Sequence, residues 1–193
     1  IATNKCGVKI AHLESGLRSE DLEMPEEINR LLTDRITDMY FVTEQSGLDN
    51  LKNEGIPDEK VHFVGNTMID TLVHSEDGIE KSDILEKLDV NPSEYVLMTM
   101  HRPRNVDTLE KISVLQQIIL NITKDYKLVL PIHHRTKNSF IKHSLFEELQ
   151  NNKNLILTEA LDYFAFQKLI KYCKFVVTDS GGIQEETTFR QVP

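Results

Sequence analysis

The sequence predicts a doubly wound α/β fold, with parallel sheets covered by helices on both faces and with parts of two such domains in the chain. Two observations support this prediction. Short apolar segments alternate with longer segments of helical period along the whole sequence. These short segments are predominantly hydrophobic, as strands covered on both faces are. The repeated strand–helix–strand order is therefore typical of parallel sheets.

Seven short apolar segments are predicted as strands. They are Val8–Leu13, Met39–Val42, Val61–Val64, Tyr95–Met100, Lys127–Ile132, Leu155–Leu157 and Phe175–Thr178. Eight longer segments are predicted as helices. They are Pro25–Thr37, Glu44–Asn53, Thr67–His74, Asp83–Leu88, Thr108–Thr123, Asn138–Gln150, Tyr163–Tyr172 and Ile183–Arg190.

Local signals justify the clearest of these elements. Pro25 lies in the first turn of its helix, where proline is favoured, and Glu26 and Glu27 lie at the positive end of the helix dipole. One predicted helix has five apolar residues on a single face. They are Leu109, Ile112, Leu115, Ile119 and Ile122. The segment Ser75–Ser82 is polar and contains one glycine, so we predict a hinge or linker there.

The composition excludes several functional classes. The chain has 193 residues, of which 39% are hydrophobic, and a formal net charge of −9, so it lacks the basic surface of a nucleic-acid binder. Its two cysteines, Cys6 and Cys173, show no metal or redox spacing, which fits a reducing compartment. No apolar run approaches the roughly 18 residues that span a bilayer, and we expect no signal peptide. We therefore expect a cytoplasmic protein with no membrane partner.

The first group of candidate residues follows the first predicted strand. The segment His12–Arg18 lies at the carboxyl end of that strand, and Glu26 opens the next helix. Ligands of open α/β sheets bind at the carboxyl ends of strands. Glu14 and Glu26 could serve there as acid and base at a carbon centre, because different environments separate carboxyl pKa values. Alternatively, Glu26 only complements the helix dipole, and Glu14 pairs with Arg18.

Two further strand ends carry histidine. His101 and Arg102 follow the strand Tyr95–Met100, where a histidine beside an arginine suits a substrate that bears phosphate. His133 and His134 follow the next strand. Adjacent histidines at one strand end point in different directions, and the sequence offers no third ligand at a suitable spacing, so we predict no metal site.

A glycine-rich turn follows the last strand. In Ser180-Gly181-Gly182, the missing Cβ atoms let backbone N–H groups approach a phosphate, and the next helix adds partial positive charge. Glu186, about one turn into that helix, could accept hydrogen bonds from ribose hydroxyls. An aromatic side chain among Tyr163, Phe164 and Phe166 could stack on a nucleobase. The alternatives are a plain strand–helix turn and core aromatics.

Taken in order, five segments resemble the non-hydrolysing UDP-N-acetylglucosamine 2-epimerase family. They are HLESGLRS, PEEINR, GNTMID, MTMHRPRN and TDSGGIQEE. The resemblance implies two Rossmann-like doubly wound domains facing a cleft, an arrangement called GT-B-like. Residues 1–66 would be the second half of the N-terminal domain, and residues 67–193 most of the C-terminal, UDP-binding domain. Family members are longer, so we expect a central fragment that lacks a further catalytic aspartate and is inactive, or nearly so, alone.

The resemblance also implies a reaction without a cofactor. A base removes the proton on C2 of UDP-N-acetylglucosamine, and UDP leaves C1 from the opposite face to give a bound 2-acetamidoglucal. UDP then adds back while C2 is reprotonated on the other face, which yields UDP-N-acetylmannosamine for surface polysaccharide. The substrate would be a UDP-N-acetylhexosamine, and the protein a homodimer.

The roles implied for individual residues follow from the matching segments. The catalytic residues would be Glu14, Glu26 and His101. The substrate-binding residues would be Arg18, Phe166, Ser180, Gly181, Gly182 and Glu186. A possible regulatory site would include Arg102 and His133. The sequence departs from the family pattern in that Arg104 replaces an acid, Leu161 replaces a glutamine and Ser15 replaces an alanine, which bears on the sugar and on regulation.

Four alternatives remain open. The enzyme could act on a 6-deoxy UDP-amino sugar, or it could be a hydrolysing epimerase that releases N-acetylmannosamine. It could instead be a GT-B glycosyltransferase, which would share the glycine-rich turn but does not need two carboxylates and a histidine at the strand ends. A non-catalytic nucleotide-sugar sensor would keep the segment Ser180–Glu186 and tolerate loss of Glu14 and Glu26.

Overall fold

Two parallel sheets organise residues 2–193, which the computed structural model describes. One sheet belongs to each of two units, Ile1–Asp70 and Thr71–Pro193. Because every strand pairing is parallel and helices connect the strands, the predicted α/β class is confirmed. None of the helices within residues 2–193 combines the length and the apolar character that crossing a bilayer requires.

The N-terminal unit has a three-stranded sheet in the order β1-β2-β3. Its elements are α1 (Ala2–Lys5), β1 (Ala11–Leu13), α2 (Pro25–Arg35), β2 (Met39–Val42), α3 (Gln45–Asn53), a 3-10 turn (Asp58–Lys60) and β3 (Val61–Phe63), and α4 (Thr67–His74) crosses the unit boundary. Strand β1 is shorter than the predicted Val8–Leu13. The amide of Ile10 donates to the carboxylate of Asp38 (2.8 Å) instead of joining the strand ladder.

The core of this unit lies between β2 and α3. Tyr40, Val42 and Leu51 are buried there. The loop after β1 approaches α3 so closely that a Cβ atom on Gly16 would lie 2.4 Å from the carbonyl oxygen of Gly47. Only a residue without a side chain fits this contact, which therefore fixes the loop against the helix.

The C-terminal unit has a four-stranded sheet in the order β6-β5-β4-β7. Its elements are α5 (Glu76–Glu80), α6 (Ile84–Lys87), β4 (Tyr95–Thr99), α7 (Pro103–Val106), α8 (Leu109–Asp125), β5 (Lys127–Pro131), α9 (His134–Lys142), α10 (Phe146–Gln150), β6 (Leu155–Thr158), α11 (Tyr163–Tyr172), β7 (Val176–Thr178) and α12 (Gly181–Arg190).

Alternate residues of β4 face two separate apolar clusters. Val96 and Met98 belong to the cluster that includes the buried face of α8, and Tyr95 and Leu97 belong to the cluster that includes α11. This period of two is that of a strand covered on both sides. The predicted apolar face of α8 is largely correct, since Ile112, Leu115 and Ile119 are buried. Leu109 is exposed because it is the first residue of the helix.

The predicted hinge at Ser75–Ser82 is wrong. The segment contains helix α5, whose Ile79 is buried. The carboxylates of Glu76 and Glu80 both pair with Lys171 of α11, and Glu76 also accepts a hydrogen bond from Arg190 (2.9 Å). Ion pairs to distant helices thus hold a segment that looks like a polar linker.

The predicted helix Asn138–Gln150 is two helices. Helix α9 begins earlier, at His134, and ends at Lys142, and α10 begins at Phe146. Ser144 between them adopts a left-handed conformation, with φ of 59°. That conformation cannot continue a right-handed helix, and the chain turns there without glycine or proline.

Candidate active site

A pocket of about 370 Å³ lies at the carboxyl ends of the strands of the C-terminal unit. Its lining residues are Thr99, Met100, His101, Pro131, Ile132, His133, Ala160, Phe166 and Ile183. Because β4 and β5 are parallel neighbours, the residues that follow them meet at one edge of the sheet. Three of the predicted site residues, His101, His133 and Phe166, therefore border the same pocket.

The segment after β4 is held by Asp179, which follows β7. The carboxylate of Asp179 accepts hydrogen bonds from the amides of His101 (3.1 Å) and Arg102 (2.8 Å) and from Nδ2 of Asn105 (3.0 Å). His101 Nδ1 lies 3.1 Å from Asp179 Oδ1. Burial opposes the charge on Asp179, but these donors outweigh burial and lower the pKa of its carboxyl. The side chain of His101 is 45% exposed, so its ring is open to the pocket.

His133 also lines the pocket, with its ring centroid 5.8 Å from that of His101. Its Nδ1 accepts a hydrogen bond from the amide of Arg135 (3.2 Å) and so caps α9. Burial lowers the pKa of His133, and His134, His101 and Arg135 lower it further. The cap and the lowered pKa both favour a neutral ring.

Helix α12 begins two residues earlier than predicted, at Gly181. Ser180 is its N-cap residue, but the serine side chain makes no capping hydrogen bond. The amides of the first turn of an α-helix have no intrahelical partner. A Cβ atom on Gly181 would meet nothing within 4 Å, so the backbone is open to an approaching ligand. This geometry suits an anion.

Glu186 and the aromatic residues of α11 differ in their environments. Glu186 is buried, and burial raises the pKa of its carboxyl although a hydrogen bond with Gln167 acts in the opposite direction. Phe166 is half-buried and lines the pocket. Phe164 instead covers Gly78, where a Cβ atom would lie 2.6 Å from its ring. Of these two phenylalanines, only Phe166 lines the pocket, and its contact with a nucleobase stays a prediction.

Two candidate catalytic carboxylates, Glu14 and Glu26, belong to the N-terminal unit. Glu14 directly follows β1 in a left-handed conformation, with φ of 63°, and Glu26 is exposed in the first turn of α2. Among residues 2–193, neither carboxylate has a hydrogen-bond or ion-pair partner. Both are therefore available for chemistry.

The suggested ion pair between Glu14 and Arg18 is wrong. Arg18, whose side chain is only 7% exposed, contacts Asp34 (2.8 Å) and forms two hydrogen bonds with Glu54 (2.8 and 3.0 Å). Asp34 also contacts His12 Nδ1 (2.6 Å) and accepts a hydrogen bond from the amide of Gly16 (3.1 Å). Arg18 thus contributes to the structure of the loop, and its role in substrate binding stays a prediction.

Sequence analysis does not identify Asp34, Glu27 or Asp179 as residues that hold candidate site residues. In the N-terminal unit, Asp34 and Glu27 hold the loop after β1, and in the C-terminal unit Asp179 holds the segment after β4. Glu27 accepts hydrogen bonds from the amides of Ser19 (2.9 Å) and Glu20 (3.2 Å) and so holds one end of the loop. Asp34 holds the other end. A signal was present: Glu27 and Asp34 are seven residues apart on α2 and therefore lie on one face of that helix. For Asp179, the signal is an acid between the end of a strand and a glycine-rich turn.

Comparison with known proteins gives a consistent result. A sequence model of the family described as UDP-N-acetylglucosamine 2-epimerase matches residues 1–193. UDP-N-acetylglucosamine 2-epimerase of Methanococcus maripaludis is 40% identical over 199 residues, which cover 100% of this chain and 54% of the relative. UDP-2,3-diacetamido-2,3-dideoxy-D-glucuronate 2-epimerase of Pseudomonas aeruginosa is 34% identical and is matched over 98% of this chain and 51% of its own.

A solved structure agrees with the sequence comparisons. The crystal structure of Methanocaldococcus jannaschii UDP-GlcNAc 2-epimerase in complex with UDP-GlcNAc and UDP superposes with a TM-score of 0.87 at 36% identity. The match covers 99% of this chain and 54% of that chain. The chain spans about half the length of the curated relatives it matches.

Proposed function

Because the chain belongs to the UDP-N-acetylglucosamine 2-epimerase family, we propose that the protein inverts C2 of a UDP-linked N-acetylhexosamine and interconverts UDP-N-acetylglucosamine and UDP-N-acetylmannosamine. The observation that carries this proposal is the pocket that His101 and Phe166 line together with Ile183 of α12. It combines an aromatic wall, a titratable group and a helix whose N-terminus favours anions, as a nucleoside diphosphate requires.

The proposed roles follow the chemistry of the reaction. One of Glu14 and Glu26 removes the proton on C2, and the electrons of the C2–H bond form the C1=C2 double bond while UDP leaves with the C1–O electrons. The other carboxylate returns a proton to the opposite face of C2 as UDP adds back to C1. Within residues 2–193 neither carboxylate has a competing partner, which supports this assignment.

The residues that we propose bind the nucleotide lie in the C-terminal unit. His101 meets the departing diphosphate, the backbone of Ser180–Gly182 binds its phosphates, Glu186 accepts the ribose hydroxyls, and Phe166 stacks on the uracil. The solved M. jannaschii relative contains UDP-GlcNAc and UDP, which supports a UDP-sugar ligand. Since a buried Glu186 has a raised pKa, a hydrogen-bonding ribose would replace the water that the carboxylate has lost.

The reaction is tested by incubating the full-length protein with UDP-N-acetylglucosamine in deuterated water and following C2 by NMR. Deuterium at C2 of a sugar still linked to UDP supports the proposal. Free N-acetylmannosamine would indicate a hydrolysing epimerase, and absence of exchange with any UDP-amino sugar would exclude an epimerase. Exchange with a 6-deoxy or diacetamido sugar alone would keep the reaction and change the substrate, an outcome that the P. aeruginosa relative makes worth testing.

Matched variants separate a catalyst from a nucleotide-sugar sensor. We expect Glu14→Gln and Glu26→Gln each to slow C2 exchange by about 100-fold or more, because they remove an acid–base group. The control is Glu23→Gln, an exposed acid in the same segment. Equal exchange in all three variants would rule out the proposed carboxylate roles.

UDP binding is tested separately by calorimetry. Gly181→Ala adds a methyl group that meets no protein atom, so the fold should persist while UDP binds about tenfold more weakly. Unchanged affinity would place the diphosphate elsewhere.

The remaining expectations are also proposals. We propose that residues 1–66 and 67–193 are, respectively, the second half of an N-terminal and most of a C-terminal Rossmann-like domain. We further propose a cytoplasmic homodimer that acts in surface polysaccharide synthesis, and a regulatory role for Arg102 and His133. Analytical ultracentrifugation tests the oligomeric state.

A further inference from the structure

A buried carboxylate with no role in the proposed reaction lies behind His101. The side chain of Asp179 is only 7% exposed, although it follows a strand at the open edge of the sheet. Its hydrogen-bond donors and the ring of His101 all belong to residues 101–105. One carboxylate therefore fixes the whole segment that carries His101.

The position of Asp179 in the fold connects two parts of the pocket. Strands β4 and β7 are neighbours, with Thr99 paired to Thr178 and their hydroxyl groups 2.9 Å apart. Asp179 follows Thr178 and precedes Ser180, the N-cap residue of α12. Its backbone thus belongs to the turn before α12, while its side chain binds the segment after β4.

The contact with His101 also determines which ring nitrogen carries hydrogen. An ionised carboxylate only accepts hydrogen bonds. Asp179 is ionised at neutral pH because its pKa is lowered. A lone pair on Nδ1, 3.1 Å from this anionic oxygen, would be repelled by it, so hydrogen on Nδ1 is favoured and Nε2 is left for the pocket.

We propose that Asp179 is a positioning residue that holds the neutral His101 ring in the Nδ1–H form, so that Nε2 is the nitrogen that takes up a proton and then donates it in a hydrogen bond to a bound anion. The diphosphate as that ligand rests on the proposed function. The arrangement of the pair is a property of the protein without substrate.

The test is the tautomer of His101, read from nitrogen chemical shifts in the protein with ¹⁵N-labelled histidine. The His101→Asn spectrum assigns the signal. The neutral ring of free histidine carries its hydrogen mainly on Nε2, so a mainly Nδ1–H form of His101 would support the proposal. A mainly Nε2–H form in the unaltered protein would overturn it without any variant of Asp179.

The variant Asp179→Asn tests whether the carboxylate of Asp179 determines this tautomer. Its one remaining oxygen should accept from the backbone amides, which turns its NH₂ group towards His101 and makes Nδ1 an acceptor. We therefore expect the Nε2–H form in this variant. The matched control is Asp107→Asn, an exposed acid two residues beyond the segment 101–105 that pairs with Arg135 and should leave the tautomer unchanged. Retention of the Nδ1–H form in Asp179→Asn, with a folded circular-dichroism spectrum, would overturn the proposal.

The consequence for the reaction is measured in the C2-exchange assay. Asp179→Asn should lower kcat by about 10- to 100-fold, because a histidine in the wrong tautomer presents the wrong nitrogen, and should change KM less than about threefold. A 10- to 100-fold increase in KM with kcat unchanged would argue against a role of Asp179 in positioning His101. If the unaltered protein shows no exchange, the proposed function fails while the tautomer result still decides the role of Asp179.

Discussion

Replacing Asp34 with asparagine should loosen the loop that carries Glu14. Asp34 is 1% exposed and contacts His12, Arg18 and the amide of Gly16. Removing one member of a buried ion pair costs about 3–5 kcal/mol because the other charge stays buried. Arg18 keeps its two hydrogen bonds with Glu54, so we expect the lower value, about 3 kcal/mol.

Hydrogen exchange followed by mass spectrometry measures this loss directly. A peptide covering residues 12–20 should exchange roughly 100-fold faster in Asp34→Asn, since each 1.36 kcal/mol is a factor of ten. The control is Asp38→Asn, because its remaining oxygen can still accept the hydrogen bond from Ile10. Equal protection in the two variants would show that Asp34 does not hold the loop.

The same prediction has a defined pH dependence. Burial raises the pKa of Asp34, but its hydrogen bonds with His12, Arg18 and Gly16 outweigh burial, so the folded value lies below the ordinary 3.8. The stability it confers is therefore present above pH 3.8 and is lost as the pH falls through the folded pKa. The exchange rates of the unaltered protein and Asp34→Asn should converge only at acidic pH.

Four further substitutions test the fold. Gly16→Ala should destabilise the protein by about 3 kcal/mol or more, because its Cβ would lie 2.4 Å from a backbone oxygen at φ of +80°; a urea midpoint equal to that of the unaltered protein would contradict this. Glu80→Gln should cost at most about 1 kcal/mol at pH 7, since the side chain is partly exposed. The hydrogen bond with Lys171 lowers the pKa of Glu80 to about 2, so this difference should vanish as the pH falls from 4.5 to about 2, measured by thermal unfolding. Ile119→Ala should cost about 2–5 kcal/mol and the exposed Ile118→Ala less than about 1 kcal/mol, and a reversed order would refute the assignment of the core face.

The fold was predictable where local pattern and burial coincide. Residues Tyr95–Met98 of β4 are all buried because both faces of the strand are covered, and α8 shows its buried face at helical spacing. Helix α5 shows neither signal. It contains a single buried apolar residue, Ile79, and is held by Lys171 and Arg190, which follow it by about 100 residues. No local pattern in Ser75–Ser82 reports such partners.

The candidate site was likewise predictable only where local position in the sequence decides the structure. Parallel topology was enough to predict that His101 and His133 reach one edge of the sheet, because that follows from their positions after adjacent strands. The partners that orient such residues depend on pairs distant in sequence. Asp179 binds donors 74–78 residues before it, and Asp34 binds groups 16–22 residues before it. Only the fold brings these pairs together.

The acids of the N-terminal unit therefore fall into two groups that a sequence motif does not distinguish. Glu27 and Asp34 are buried and accept hydrogen bonds from the loop, whereas Glu14 and Glu26 have no partner among residues 2–193. We therefore expect different results when the adjacent residues Glu26 and Glu27 are substituted. In Glu27→Gln, slower deuterium incorporation at C2 of the sugar would be accompanied by faster amide hydrogen exchange in the loop, because the hydrogen bonds of Glu27 with the amides of Ser19 and Glu20 maintain the loop. In Glu26→Gln, C2 exchange would slow while the amide hydrogen exchange of the loop stays unchanged. Measuring both rates in these two variants therefore separates a catalytic carboxylate from a structural one.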